Sequence, residues 1–368
     1  MGKESVYFTT KMIENNGWIE FYAEYEEVLM HINKTTGEMK CVYIPDNGHY
    51  RSCARCGSDY LLFPCGKGDI CVYDETKYSA SYIKKPLDVH KKNENNWSAN
   101  YTQFDKKLYF YWFDSVVTEY DIVDQRWRTY RDWIEKIPSG ITGQLSFVKN
   151  AFRINENIYF LIQNANMLLE INTLNGNQSL IQMELDSDET TTCMYYNSRK
   201  LYLLTRKKES IVVRTIDDIY NKQSKKLCEI PVYTTETSPF YGFFVSNSGD
   251  VIIFPQKYDK VYRINEDGKY TDITEEMPVC KLSDLSIGNY PYNYVCDLYT
   301  DRFYYTINIQ TGDLISVDRV DACFECKKIY LSGHEKKKLV DRMSKRGCLN
   351  EGEFIELEDY LVALCESK

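Results

Sequence analysis

The chain has 368 residues, 43% of them hydrophobic and 27% charged, which excludes a disordered or collagenous polypeptide and suggests two domains or one large closed architecture. Lys plus Arg number 45 against 54 Asp plus Glu, a net charge of −9, which argues against a nucleic-acid binder held mainly by phosphate contacts. Mean hydropathy is −0.48, and no apolar run approaches the ~20 residues of a membrane helix, so neither nucleic acid nor membrane is expected as a partner.

The N-terminus reads Met1-Gly2-Lys3-Glu4-Ser5-Val6. No apolar core follows the basic start, so no secretory signal is evident, and Val6 breaks the myristoylation pattern. The 13 Cys are odd in number and far too sparse for a disulfide scaffold. Reduced thiols and a cytoplasmic location are the expectation. The 32 Tyr suit half-buried pleated surfaces and lean the chain toward strands.

From there a weak pattern recurs seven times: an apolar strand, a polar turn, a second strand, then Asp or Asn followed by turn residues. The first copy is Ile19-Glu20-Phe21-Tyr22 with Leu29-Met30-His31-Ile32-Asn33, and the second Leu61-Leu62-Phe63-Pro64 with Ile70-Cys71-Val72-Tyr73-Asp74. The third is Leu108-Tyr109-Phe110-Tyr111 with Val116 to Asp121, and the fourth Ile158-Tyr159-Phe160-Leu161 with Leu168 to Asn172. The fifth, Leu201 to Leu204 with Val212 to Asp217, is stretched by two or three residues. The sixth is Ile252 to Pro255 with Lys260 to Asn265, and the seventh Tyr294-Val295-Cys296 with Phe303 to Asn308. The closing Asp/Asn residues are 41 to 51 residues apart, about 46 on average. After several of them comes a Gly turn and another strand, as in Thr35-Thr36-Gly37 before Met39 to Ile44. A further strand precedes each pattern, as in Thr192 to Tyr196 and Gly242 to Val245.

A period of 40 to 50 residues carrying four short strands is the signature of radially repeated sheets. One such sheet cannot cover both of its apolar faces; stacking copies around an axis covers both. The pattern resembles the β-propeller superfamily, loosely of Kelch type, over about residues 5–318. The expected fold is therefore all-β: a seven-bladed β-propeller of four-stranded antiparallel blades. The Kelch double glycine, the WD40 Trp-Asp signature and the sialidase Asp-box are absent, so no family function is carried over.

Residues 319–368 read as a C-terminal extension with two helices. Ser332-Gly333-His334-Glu335 opens a charged helical stretch. Asn350 then caps a helix whose Phe354, Leu357, Leu361 and Leu364 share one face. That face either packs on the propeller or docks a partner.

Propellers place function at the channel mouth, on the innermost strands and their loops. There the resemblance puts Tyr50, Arg51, Trp97, Tyr101, Phe152, Arg153, Tyr195, Tyr241 and Tyr292 as ligand-binding candidates. Aromatic rings stack on sugars or anchor peptides with little entropy loss; the alternative is that they pack blade against blade. The first expectation is a non-enzymatic binding or scaffold module for a protein, peptide or glycan-bearing partner, with no cofactor. A glycan-processing lyase or hydrolase is the alternative, with Arg51, Arg55, Arg153 and Asp250 to inspect. A third reading is a metal- or redox-responsive regulator built on Cys53, Cys56, Cys323 and Cys326, two Cys-x-x-Cys pairs that could share one zinc. On a strand, however, residues three apart face opposite sides. The run Glu184-Leu185-Asp186-Ser187-Asp188-Glu189 reads as a hard-cation loop or a solvated one. His31 sits inside a strand and reads as structural.

Overall fold

The computed structural model describes residues 13–319 apart from 24–27, 34–38, 45–49, 65–67, 85–100, 112–115, 140, 142–144, 198, 233–239, 247–248, 256–259, 274–285, 293–294, 300–302 and 309–313. The C-terminal extension, with Cys323 and Cys326, lies outside the described residues, as does Trp97.

The described residues form seven four-stranded antiparallel sheets, each built from four strands in chain order. Sheet 1 holds β1 (Ile13–Asn15), β2 (Trp18–Ala23), β3 (Val28–Asn33) and β4 (Met39–Tyr43). Sheet 2 holds β5 (Tyr50–Cys56), β6 (Asp59–Pro64), β7 (Ile70–Asp74) and β8 (Ser79–Ile83). Sheet 3 holds β9 (Tyr101–Phe104), β10 (Lys107–Tyr111), β11 (Val117–Asp121) and β12 (Arg126–Tyr130). Sheet 4 holds β13 (Phe147–Ile154), β14 (Asn157–Ile162), β15 (Met167–Asn172) and β16 (Gln178–Gln182). Sheet 5 holds β17 (Thr190–Asn197), β18 (Lys200–Arg206), β19 (Ser210–Ile216) and β20 (Lys225–Pro231). Sheet 6 holds β21 (Phe240–Val245), β22 (Val251–Pro255), β23 (Tyr262–Ile264) and β24 (Tyr270–Asp272). Sheet 7 holds β25 (Ser286–Tyr292), β26 (Val295–Tyr299), β27 (Phe303–Asn308) and β28 (Leu314–Arg319). Among the described residues, two 3-10 turns at Ile134–Lys136 and Gln163–Ala165 are the helical pieces. None of the described helices is long and apolar enough to cross a membrane.

The recurring Asp/Asn of the sequence pattern turns out to be a turn cap. Asp74, Asp121 and Asn172 each end a third strand and accept backbone N–H groups two and three residues on, at 2.9 to 3.1 Å. A short side-chain acceptor there fixes the turn into the fourth strand. In the stretched fifth copy the cap lies one residue later: Asp218, not Asp217, accepts the Tyr220 N–H at 3.0 Å.

The hydrophobic residues collect between consecutive sheets. One cluster joins Tyr22, Leu29 and Val42 of sheet 1 to Tyr60, Leu62 and Tyr73 of sheet 2. The next joins Leu61 and Phe63 of sheet 2 to Leu108 and Phe110 of sheet 3. Like clusters fill the spaces between sheets 3 and 4, 4 and 5, and 5 and 6. On β6, Tyr60 and Leu62 thus face one neighbour while Leu61 and Phe63 face the other. Both faces are covered, so the strand is buried continuously rather than in alternation. Each such large apolar side chain contributes roughly 1.5–3 kcal/mol by leaving water. The first strands β9, β13, β17, β21 and β25 lie against one another in succession, which makes the first strand the innermost in sheets 3 to 7. Close approach between neighbours is tight enough at Gly268, φ +80°, that a Cβ would meet the Leu227 carbonyl oxygen of sheet 5 at 2.0 Å.

Candidate functional site

The aromatic candidates whose side chains are described lie against a neighbouring sheet. Tyr50 is buried at the start of β5 and meets Tyr22 of sheet 1 edge-on, with centroids 5.5 Å apart. Tyr101 is buried at the start of β9; its hydroxyl donates to the Cys53 carbonyl of sheet 2 at 2.5 Å, and its ring lies 4.5 Å from Phe63. Phe152 on β13 is sandwiched between Tyr159 of its own sheet and Tyr196 of sheet 5, at 4.8 and 4.7 Å. Tyr195 is half-buried against the cluster between sheets 5 and 6. Tyr241 and Tyr292 sit on the first strands β21 and β25, and Arg51 on β5; their side chains lie outside the described set. The inner strand is short of open faces because each is flanked by a sheet on both sides.

Arg55 and Arg153 occupy the same place in sheets 2 and 4, one residue before the end of the first strand. Each bends over its own hairpin turn, Arg55 Nε donating to the Gly57 carbonyl at 3.0 Å and Arg153 Nε to the Asn155 carbonyl at 2.7 Å. Each then reaches back to the preceding sheet, Arg55 to Glu20 and Arg153 to Asp105. They are struts between sheets.

The polar centre that sequence reasoning passed over lies on this turn-bearing side, between sheets 1 and 2. Glu20 on β2 is the register partner of His31 on β3, and both are buried. Glu20 Oε1 accepts from Asn15 Nδ2 at 3.2 Å and from Arg55, whose guanidinium also reaches the Tyr60 hydroxyl at 2.5 Å. The His31 ring is edge-on to Tyr60. Its Nδ1 lies 3.7 Å from Glu20 Oε1, and its Nε2 lies 3.6 Å from Glu75 Oε1 of sheet 2. Burial pushes the Glu20 carboxyl up, but the contacts from His31, Arg55 and Asn15 outweigh it and hold the group at about 2. Burial likewise pushes the Tyr60 phenol far above its ordinary range.

Related centres recur one and two sheets further on. Glu119 of β11 accepts from Lys107 Nζ and the Tyr130 hydroxyl, both at 2.6 Å. Glu170 of β15 accepts from Asn157, Tyr159, Tyr220 and Ser179 at 2.5 to 2.8 Å. Tyr220 comes from sheet 5, so this carboxylate also ties two sheets together. The signal was in the sequence: His31, Glu119 and Glu170 each stand two residues before a closing Asp or Asn, in otherwise apolar strands.

Cys53 and Cys56 fall on opposite faces of β5, Cys53 packed toward sheet 1 and Cys56 toward sheet 3. Burial pushes the Cys53 thiol up to about 12, the reverse of what a reactive or metal-binding thiolate needs. Among the described residues, no group of three His, Cys, Asp or Glu side chains is placed to hold a metal ion. The acidic run 184–189 is an ion-pair network: Glu189 chelates Arg214 through Nε and Nη2 at 2.6 and 2.8 Å, and Asp186 takes Lys207 at 2.8 Å. Asp250 donates its N–H to Ser246 Oγ at 2.9 Å, within a hairpin turn.

The two struts predict unequal losses. Arg55→Ala leaves Glu20 buried beside an empty space and is expected to destabilise by about 2–3 kcal/mol. Arg153→Ala exposes only Asp105, already 75% accessible on its side chain, and should cost within about 1 kcal/mol. The folded Glu20 carboxyl is depressed, so its stabilisation is present above the ordinary range near pH 4 and lost as pH falls toward about 2. Denaturant titrations should therefore show the Arg55→Ala deficit at pH 7 shrinking in acid.

No protein-family model matches this sequence, and no curated protein matches it. Solved structures do. The chain is similar to a streptogramin B lyase over 87% of its own length and 95% of that chain, at 9% identity and a TM-score of 0.55. It is similar to the virginiamycin B lyase of Staphylococcus aureus over 81% and 94%, at 10% identity and a TM-score of 0.56. A catalytically inactive form of the latter, with quinupristin, gives 10% identity and 0.55 over 81% and 93%. Likeness at this identity speaks to the fold, and with the stacked four-stranded sheets it makes the fold of this chain a β-propeller.

Proposed function

We propose that this protein is a non-enzymatic binding or scaffold module that recognises a protein, peptide or glycan-bearing partner at the channel mouth of the propeller. One observation carries the reading. Of the arginines the sequence offered for catalysis, Arg51, Arg55 and Arg153, the two whose side chains are described, Arg55 and Arg153, are spent as struts between sheets, and the buried Glu119 and half-buried Glu170 are bonded by the protein's own donors. Groups so held stabilise the ring rather than turn over a substrate. Recognition then falls to the half-buried Tyr195 and to Arg51, Trp97, Tyr241 and Tyr292. A loosely Kelch-like repeat and a cytoplasmic location go with this reading; Cys53 and Cys228 are buried thiols outside any disulfide.

Affinity capture from native cells, followed by titration of the captured molecule, tests it. Tyr195→Ala and Tyr292→Ala are expected to weaken binding about tenfold or more, a loss of roughly 1.4 kcal/mol, with the partner recovered intact. The second reading is a lyase or hydrolase, favoured by the lyases among proteins of this fold. Conversion of the captured molecule into a product would establish it and remove the binding-only reading.

A further inference from the structure

We propose that the first strands carry a belt that recognises an oxyanion, a carboxylate or phosphate group borne by the partner; this rests on the binding reading above and gives it a ligand chemistry. The belt is built by β-bulges. In sheet 2 the first strand takes one extra residue, Arg51, between Tyr50, which pairs with Pro64, and Ser52, which pairs with Phe63. Sheet 5 does the same between Thr191 and Cys193, at Thr192, and sheet 6 between Phe240 and Gly242, at Tyr241. In sheet 4 the shift is longer: Val148, Lys149 and Asn150 stand opposite Leu161 alone. β25 shifts as well, between Ile287 and Pro291, nearer to its hairpin turn.

The second strands explain the shift in two of the sheets. Leu61-Leu62-Phe63-Pro64 and Ile252-Ile253-Phe254-Pro255 both end on a proline, which has no N–H to give the ladder. Sheet 5 has Thr205 at that place, and there the Thr192 hydroxyl donates to the Leu204 carbonyl at 3.0 Å and fixes the irregular step. A bulge bends its strand, re-aims the local chain and is common beside binding sites. β13, β17 and β21 lie against one another, so three of these bulges are neighbours toward the start of the innermost strands, and Arg51 holds the matching place in sheet 2. An innermost strand has a ladder on one side only. Its free edge presents backbone N–H groups, and sheet edges form anion-binding concavities. The extra residues of sheets 2, 4, 5 and 6 include Arg51 and Lys149 and no Asp or Glu, in a chain whose net charge is −9. A cationic level within an acidic protein selects an anion and draws it to the channel.

Citrate and pyrophosphate are the probes, titrated calorimetrically against the full chain. At least one of them should bind at a single saturable site, weaken as salt is raised, and lose about tenfold or more in affinity in Arg51→Gln and in Lys149→Gln. Lys208→Gln, which removes an exposed charge on the turn between β18 and β19, should bind as the wild type does. Tighter binding of citrate assigns the group to a carboxylate-bearing partner, and of pyrophosphate to a phosphate-bearing one. Should one belt variant fail to fold, the other, in a different sheet, carries the test. Absence of saturable binding by both probes, or an equal loss in Lys208→Gln, would overturn the belt. A partner captured from cells that binds Arg51→Gln and Lys149→Gln as tightly as the wild type would also remove it, while leaving the binding module intact. Conversion of that partner into a product has the opposite effect: it removes the binding-only reading and leaves the probe titrations as they stand.

Discussion

Truncating Arg214 to alanine is expected to lower the unfolding free energy by about 3–5 kcal/mol, the usual cost of orphaning a buried charge. Its partner Glu189 has a side chain fully shut off from solvent and receives two guanidinium N–H groups as well as the Thr205 hydroxyl at 2.9 Å. Glu189 precedes β17 and Arg214 lies on β19, so the pair pins the segment that enters sheet 5 to the third strand of that sheet. Glu189→Gln should cost a similar amount, because it leaves the guanidinium in the same dry position. The double variant Arg214→Met with Glu189→Leu separates the worth of the pair from the cost of breaking it. Apolar replacements of a buried pair are commonly near neutral, so the double variant should recover most of the stability lost by either single one. Chemical denaturation of the wild type, Arg214→Met, Glu189→Leu and the double variant closes the cycle. Equal losses in the single and double variants would mean that the network around Asp186 and Lys207, not the pair, holds this corner.

Phe152→Ala is the second large effect, about 3–5 kcal/mol. The ring lies nearly parallel to Tyr159 and Tyr196, at interplanar angles of 13° and 12°. Two aromatic contacts of this kind add about 0.5–1.5 kcal/mol each to the area term. This experiment also decides between the two roles open to an aromatic residue on an innermost strand. A ligand platform can be truncated with little change in melting; a ring wedged between sheets 4 and 5 cannot. An unfolding midpoint within error of wild type would return Phe152 to the channel mouth.

Much of the fold was legible because the repeat has two independent marks. Strand composition marks the second and third strands of every sheet, and the closing Asp or Asn marks the turn. Asp74, Asp121 and Asn172 each satisfy the same two backbone donors, so local turn chemistry alone forces the residue type and makes it visible in the sequence. The unalternating apolar runs, such as Tyr60-Leu61-Leu62-Phe63, carried equally direct information: such a strand needs a cover on both faces, and radial stacking supplies it.

The site was less legible because it depends on which sheet adjoins which. Nothing local to Arg55 or Arg153 says that each guanidinium reaches back to the sheet before it, since Glu20 lies 35 residues and Asp105 48 residues away. Tyr50, Tyr101 and Phe152 lie on first strands of their sheets, yet a first strand has flanking sheets, and the aromatic rings turn to those. His31 looked like an isolated histidine on a strand; only the docking of sheet 2 onto sheet 1 brings Glu75 to its far nitrogen. The sequence by itself determined the four-stranded repeat, its period and its turns, because those follow from contacts within some 50 residues. Tertiary structure alone decided which polar side chains meet across the gaps between sheets. Those meetings are fixed by the packing of neighbouring sheets, which no single repeat encodes.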